Sequence, residues 1–177
     1  MNSAINSGMT ISTPTFGEVE LLDFTTLDNA MKDSVLEMRN HPKVREQMHN
    51  QAVIDKNAHL NFIASLKGND DKKYFVVKSK QQLLGVIYFT DINYNDKSAV
   101  FGIYANLFEK RDKMGSILME TALTYFKDIL SFRTLNLEVY EYNQRAVGLY
   151  VKFGFLVDKH FYQNGHKVLN MKWVRRT

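Results

Sequence analysis

Cysteine is absent from the chain, which removes disulfide scaffolds, thiolate-ligated zinc, iron–sulfur clusters and thiol nucleophiles together. Proline is nearly absent: Pro14 and Pro42 are the only two, so no Pro-rich linker divides the sequence. No run approaches the roughly 18 apolar residues of a membrane span. The opening MNSAINSGMTISTPTF also lacks the charged start and apolar stretch of a secretory signal. These absences predict a protein of a reducing, cytoplasmic compartment without a membrane partner. Residues 1–17 read as a polar, flexible leader and 18–177 as one domain.

What is present is ordinary globular material. The 177 residues are 45% hydrophobic and 24% charged, enough to bury one core without staples. Lys and Arg number 23 against 19 acidic residues, a net charge of +4 and a pI near 9.1. The basic residues are scattered rather than striped. That suits an anionic small ligand and gives no footprint for nucleic acid. The five histidines show no metal-ligand spacing, and no metal is expected. Nothing in the pattern fixes the oligomeric state; a homodimer is compatible with it.

The hydrophobic period changes along the chain. Glu18–Phe24 alternates as a first strand. Asp28–Arg39 carries Met31, Val35 and Met38 at helical spacing, and His41–Pro42 breaks that helix because the residue before proline is pushed from the α region. A short helix near Val44–Met48 and a clearer one at Lys56–Leu66 follow. Tyr74–Lys78, Leu83–Asn93 and Ser98–Asn106 form a three-stranded meander. Met114–Phe132 returns to a helical period, with Leu118, Ala122, Tyr125, Phe126 and Ile129 marking its buried stripe. Leu135–Tyr140 is a strand and Gln144–Phe153 a helix ended by Gly154. Phe155–Tyr162 and Lys167–Val174 form a hairpin turned by Asn164–Gly165. The expected fold class is α+β, a mixed, mostly antiparallel sheet of about seven strands flanked by helices.

Two segments carry chemistry. In Phe101–Ser116, FGIYANLFEKRDKMGS, a strand runs through a basic loop into a helix opening at Met114. The first N–H groups of a helix lack intrahelical partners and its dipole leaves that end positive. Lys110, Arg111 and Lys113 add charge there, and Gly115 brings no Cβ, so the segment suits a pyrophosphate. An ordinary helix start with a tight turn would look the same. In Leu137–Phe155, LEVYEYNQRAVGLYVKFGF, Asn143 is a natural N-cap. Ala146 and Tyr150 share a helical face, which places Tyr150 either at a cleft or in the core.

Together these segments resemble the GNAT acetyltransferase superfamily. Its pyrophosphate loop, Arg/Gln-x-x-Gly-x-Gly/Ala, falls on Lys110, Lys113 and Gly115, with lysine at the first position and Lys113 where glycine is usual. Its downstream N-x-x-A-x-x-x-Y-x-x-x-G-F signature is intact as Asn143, Ala146, Tyr150, Gly154 and Phe155. The likeness runs from about residue 18 to the end of the chain. It implies an acetyl-CoA-dependent N-acetyltransferase acting by direct transfer in a ternary complex. CoA would enter between the strand ending at Asn106 and the strand Leu135–Tyr140. Backbone groups of Tyr104, Ala105 and Asn106 would take the pantetheine arm. Those of Lys110, Arg111, Asp112, Lys113, Met114, Gly115 and Ser116 would take the pyrophosphate. Asn143 and Ala146 would border the cofactor, and Tyr150 would protonate the departing sulfur. The base is less defined by the sequence: Glu138, Asp91 or a water near Thr90.

The run Arg39-Asn40-His41-Pro42, Met48 and His59-Leu60-x-Phe62-Ile63 precedes the central strands, where the superfamily builds its acceptor pocket. With Leu84-Gly85-Val86, Thr90-x-Ile92-Asn93 and Phe101-Gly102-Ile103-Tyr104, it is similar to the acetyltransferases of pseudaminic acid biosynthesis. Those enzymes acetylate the 4-amino group of a UDP-linked 4-amino-4,6-dideoxy sugar on the way to a flagellin modification. The likeness implies an acceptor site of Arg39, Met48, His59, Phe62, Thr90 and Tyr104. Read alone, Arg39 also fits a helix C-terminal charge, and Met48 and Phe62 fit core positions. A ribosomal-protein-type N-acetyltransferase shares the RNHP-like start and predicts an acidic, peptide-sized groove instead of a basic closed pocket. A non-enzymatic acetyl-CoA-sensing domain would keep the cofactor site without turnover.

Overall fold

The computed structural model describes residues 8–176. Among them one eight-stranded sheet is built from β1 (Met9–Thr13), β2 (Gly17–Asp23), β3 (Lys73–Ser79), β4 (Gln82–Asn93), β5 (Ser98–Ala105), β6 (Thr134–Tyr140), β7 (Leu156–Gln163) and β8 (His166–Val174). The spatial order is β1-β2-β3-β4-β5-β6-β8-β7, and every neighbouring pair is antiparallel except β5 with β6. The helices are α1 (Asn29–Asn40), α2 (Pro42–Arg45), α3 (Lys56–Ser65), α4 (Met114–Thr124) and α5 (Gln144–Lys152).

Local chemistry sets the helix starts. Asp28, Asp55 and Asn143 each accept a hydrogen bond from the backbone N–H three residues on, at 2.8, 2.8 and 3.2 Å, capping α1, α3 and α5. His41 ends α1 and its Nδ1 accepts from the Lys43 N–H, so α2 begins directly at Pro42. The predicted Asn164–Gly165 turn forms with positive φ at both residues, 52° and 75°.

Three features depart from the expected pattern. Met9–Thr13, assigned by sequence to the flexible leader, is an edge strand paired with β2, and it supplies the eighth strand. Only Ile11 and Thr13 of its five residues are buried, too short an alternation to read. Residues 1–7 of that leader lie outside the described residues. The helix expected over Met114–Phe132 changes at Tyr125 into a π-turn, Tyr125–Ile129, in which the Leu130 N–H bonds to the Tyr125 carbonyl. The wider turn lets the consecutive Tyr125 and Phe126 both face the core, stacked against Phe89 at 5.4 and 6.2 Å. It also carries Ile129 out of the predicted stripe to 50% exposure.

The sheet separates two cores. One face packs α4 and the inward side of α5 around Leu118, Phe126, Leu137 and Phe155. The other packs α1, α2 and α3 around Met38, Val44, Ile63 and Val86. β5 and β6 alternate between the two: Leu137 and Val139 belong to the first core and Tyr104 to the second.

Candidate active site

β5 and β6 pair only at their first residues, Ser98 with Thr134, Ala99 with Leu135 and Val100 with Asn136. Beyond them β5 stays with β4 as far as Ala105, and β6 stays with β8 as far as Tyr140. The sheet is therefore splayed, and from Phe101 onward β5 presents a backbone edge with no ladder partner. Of the three residues expected to meet a pantetheine arm, Tyr104 and Ala105 lie on this stretch. Asn106 is differently committed: its N–H bonds to the Leu84 carbonyl, its side-chain amide donates to the Leu83 carbonyl at 3.0 Å, and its Oδ1 accepts from the Phe108 N–H at 3.1 Å. It fastens the turn that leaves β5.

That turn leads to the start of α4. Lys113, the N-cap, has φ 59° and ψ 21° and offers no side-chain cap. The intrahelical ladder begins with the Ile117 N–H on the Lys113 carbonyl. The N–H groups of Met114, Gly115 and Ser116 are thus left without helical acceptors, beside the exposed Lys110 and Lys113. The lysine occupies the left-handed conformation that explains the usual glycine at this position. Arg111 is held back by Gln82, with Nη1 3.0 Å from its amide oxygen, and Asp112 is exposed. A Cβ at Gly115 would also lie 3.1 Å from Leu149 Cδ2 on α5, so the missing Cβ leaves room for that side chain. An uncapped helix start carrying exposed lysines beside an open strand edge fits the diphosphate and amide-rich arm of CoA.

Tyr150 is buried where α5 ends. Gly154, at φ 93°, closes the helix so that the Phe155 N–H reaches the Tyr150 carbonyl at 3.0 Å. The Phe155 ring packs against Tyr150 at 5.9 Å. Glycine and phenylalanine of the signature therefore anchor the tyrosine. Burial, reinforced by the Tyr88 phenol, raises the Tyr150 pKa far above the ordinary phenol value. Asn143 spends its Oδ1 on the α5 cap, and Ala146 is half-buried beside the first core.

On the opposite face lies a cavity of about 490 Å³. All six residues predicted for the acceptor, Arg39, Met48, His59, Phe62, Thr90 and Tyr104, line it, together with Glu138 and Asp91. Its aromatic wall is Tyr74 stacked on Tyr88, with centroids 4.9 Å apart and planes at 9°, braced by Phe62 edge-on to Tyr74 at 5.0 Å. Burial raises the pKa of Tyr74, Tyr88 and Tyr104, and in each case the Arg39 guanidinium pulls the other way. Arg39 donates from Nη2 to the Asn50 carbonyl at 2.9 Å; among the described residues its buried Nη1 has no acceptor and the buried Gln47 Oε1 has no donor. His59 is buried with Nε2 2.9 Å from the Lys32 carbonyl, which bridges α3 to α1, and burial lowers its pKa. Thr90 Oγ1 stands 3.4 Å from Asp91 Oδ2. The charges are mixed: Arg39 lines the cavity together with the carboxylates of Asp91 and Glu138, so the pocket is not all basic.

The sequence did not point to Tyr74, Tyr88, Gln47 or His49 as lining residues. His49 Nε2 lies 2.9 Å from Glu138 Oε2, across 89 residues of sequence. Gly102 faces Tyr88 across the β4–β5 ladder, and a Cβ there would overlap the hydroxyl end of the phenol. Gly102→Ala should therefore displace Tyr88 and cost about 1–3 kcal/mol in thermal or urea unfolding. It should weaken acceptor binding more than acetyl-CoA binding. A variant with native stability and native acceptor KM would show that the aromatic wall is not needed.

A splayed mixed sheet with an uncapped helix on one face and a lined cavity on the other defines the class of acyl-CoA N-acyltransferases. The chain belongs to the acetyltransferase (GNAT) family, whose profile matches residues 33–155, and it is an acetyl-CoA-dependent N-acetyltransferase. It is 35% identical over 147 residues to acetyltransferase PseH of Campylobacter jejuni, covering 81% of this chain and 90% of that protein. The crystal structure of C. jejuni PseH in complex with acetyl coenzyme A superposes with a TM-score of 0.70 at 26% identity, over 89% of this chain and 99% of that one. Vibrio cholerae spermidine N-acetyltransferase in complex with CoA and spermine gives a TM-score of 0.79 at 22% identity, over 88% and 95% of the two chains, a likeness of fold. Among the described residues no group of three His, Asp or Glu gathers as a metal site, and no helix is long and apolar enough to cross a membrane.

Proposed function

We propose that this enzyme acetylates the amine of a nucleotide-linked amino sugar, the 4-amino group of a UDP-4-amino-4,6-dideoxy sugar as in pseudaminic acid biosynthesis. The observation that carries the reading is the Arg39 guanidinium. It is set beside the stacked Tyr74–Tyr88 pair with one nitrogen that has no acceptor among the described residues, suited to a diphosphate or to a uracil carbonyl next to a ring-stacking surface. The carboxylates of Asp91 and Glu138 attract the ammonium at the other end of such a substrate. The identity with PseH across most of the chain supports the same acceptor class.

In this reading the two faces of the sheet meet through the splay. The uncapped N–H groups of Met114, Gly115 and Ser116, with Lys110 and Lys113, hold the CoA diphosphate. The free edge of β5 at Tyr104 and Ala105 holds the pantetheine arm. The bound cosubstrate supplies the activated acetyl thioester. Positioning of the amine against it provides most of the rate, Glu138 stands on the proton-accepting side, and Tyr150 gives its phenolic proton to sulfur. We further propose that the enzyme works in the cytoplasm as a small-molecule enzyme without nucleic acid.

A polyamine acceptor is the second reading, favoured by the two carboxylates and the aromatic wall. A thiol-release assay with acetyl-CoA separates them, run with a UDP-4-amino sugar, free amino sugars, spermidine and N-terminal peptides. The nucleotide sugar should be the best substrate by at least tenfold in kcat/KM, the discrimination about 1.4 kcal/mol supplies. Preference for spermidine or a peptide would overturn the assignment.

A further inference from the structure

The splay, the α4 start and Tyr150 account for cofactor handling, and Arg39, Asp91 and Glu138 with the tyrosines for the acceptor, but His49, which meets Glu138 across the cleft, has no role in either. The two side chains come from opposite sides of the cleft. His49 follows α2 and Glu138 is on β6. Both line the cavity, and each is partly open to solvent, at 42% and 37%. A carboxylate only accepts hydrogen bonds, so at 2.9 Å the proton between them sits on His49 Nε2. The neutral ring then carries its lone pair on Nδ1, which makes no hydrogen bond among the described residues. The ring packs against Tyr140, with centroids 5.8 Å apart, and Tyr140 is itself stacked on Tyr142. A base whose tautomer is fixed by a carboxylate, at the mouth of an acceptor cavity, has the geometry of an oriented general base.

We infer that His49 takes the proton from the acceptor amine and that Glu138 is the positioning residue that orients it. The inference rests on the preceding reading that this cavity binds the amine, though not on which amine. The lone pair of the neutral amine nitrogen forms the N–C bond to the acetyl carbonyl carbon, and the N–H bond breaks toward His49 Nδ1 with its pair left on nitrogen. The C–S bond breaks with its pair on sulfur, which takes the proton of Tyr150. Solvent then removes the proton from His49 and restores that of Tyr150. The other charged and titratable groups facing the cavity are Arg39 from α1, His59 from α3, Asp91, Tyr74, Tyr88 and Tyr104 from the central strands, and Glu138 and Tyr140 from β6. Of these, Glu138 is hydrogen-bonded to the His49 ring and Tyr140 packs against it.

Two measurements test this. Nitrogen-15 spectra of the labelled full chain at neutral pH should show His49 as the Nε2–H tautomer, and Glu138→Gln should release that preference; this readout needs no turnover. With whichever amine of the panel the native enzyme acetylates best, His49→Gln should lower kcat about 10- to 100-fold with an unchanged acetyl-CoA KM. His49→Ala should be partly rescued by added imidazole, and the acid limb of the kcat/KM profile should disappear in both variants. Glu138→Gln should lose less and keep an acid limb. The opposite tautomer in the native protein, a His49→Gln enzyme within threefold of native, or loss without imidazole rescue and without a change in the pH profile would each overturn the role. Failure of the nucleotide sugar with turnover of another amine would instead overturn the proposed acceptor and leave His49 testable.

Discussion

Replacing Tyr150 with phenylalanine should lower kcat by roughly 10²-fold or more while leaving acetyl-CoA affinity nearly unchanged. The substitution removes one oxygen from a buried ring held by the α5 closure and by Phe155, so the fold and the aromatic packing stay in place. What is lost is a proton. Burial and the neighbouring Tyr88 raise the pKa of this phenol, so the neutral, proton-carrying form is present throughout the neutral range. The sign follows: the group remains an acid as pH rises past the ordinary phenol value near 10, so a loss of kcat at milder alkalinity must come from another group. Pre-steady-state thiol release gives the rate, and calorimetry with acetyl-CoA gives the affinity. A Tyr150→Phe enzyme with native turnover removes the general-acid assignment.

Replacing Arg39 with alanine should raise KM for a UDP-amino sugar roughly 10- to 100-fold, the equivalent of about 1.5–3 kcal/mol for a hydrogen bond to a charged partner. The KM for acetyl-CoA should hardly move, because Arg39 stands on the α1–α3 face and the α4 start on the other. Arg39 also props the Asn50 carbonyl, so part of any loss can come from the loop. Arg39→Lys separates the two effects: it keeps the charge and loses the planar fork, and should fall between native and alanine. An unchanged sugar KM in the alanine variant, with lowered thermal stability, would make Arg39 a strut of the loop and favour the polyamine reading.

Much of the architecture was legible because it depends on short-range rules. Asp28, Asp55 and Asn143 mark helix starts through hydrogen bonds three residues away, and Asn164–Gly165 marks a hairpin through its own φ angles. The signature Asn143, Ala146, Tyr150, Gly154, Phe155 is also local, since one helix and its closure hold all of it. Where the sequence pattern failed, the cause was an irregularity that periodicity does not carry. The π-turn adds a residue to a turn and carries Ile129 to the surface. The edge strand Met9–Thr13 buries too few residues to alternate visibly.

The cavity shows the same division. Counting outward from the Ser79–Gln82 pair sets Tyr74 opposite Ile87. Leu84 is an extra residue in β4, and the shift it causes sets Tyr74 opposite Tyr88, which creates the stacked pair. Likewise no spacing joins His49 to Glu138, or Gln47 to Arg39; only the folding of α1 and α2 over the splayed strands does. By itself, then, the sequence determined the family, the order of elements and the residues whose role depends on a neighbour a few positions away, because helix caps, turns and periodicity act over one or two turns of chain. The tertiary structure alone decided the aromatic wall, the uncommitted polar atoms and the His49–Glu138 contact, because these depend on strand register and on side chains brought together from distant segments.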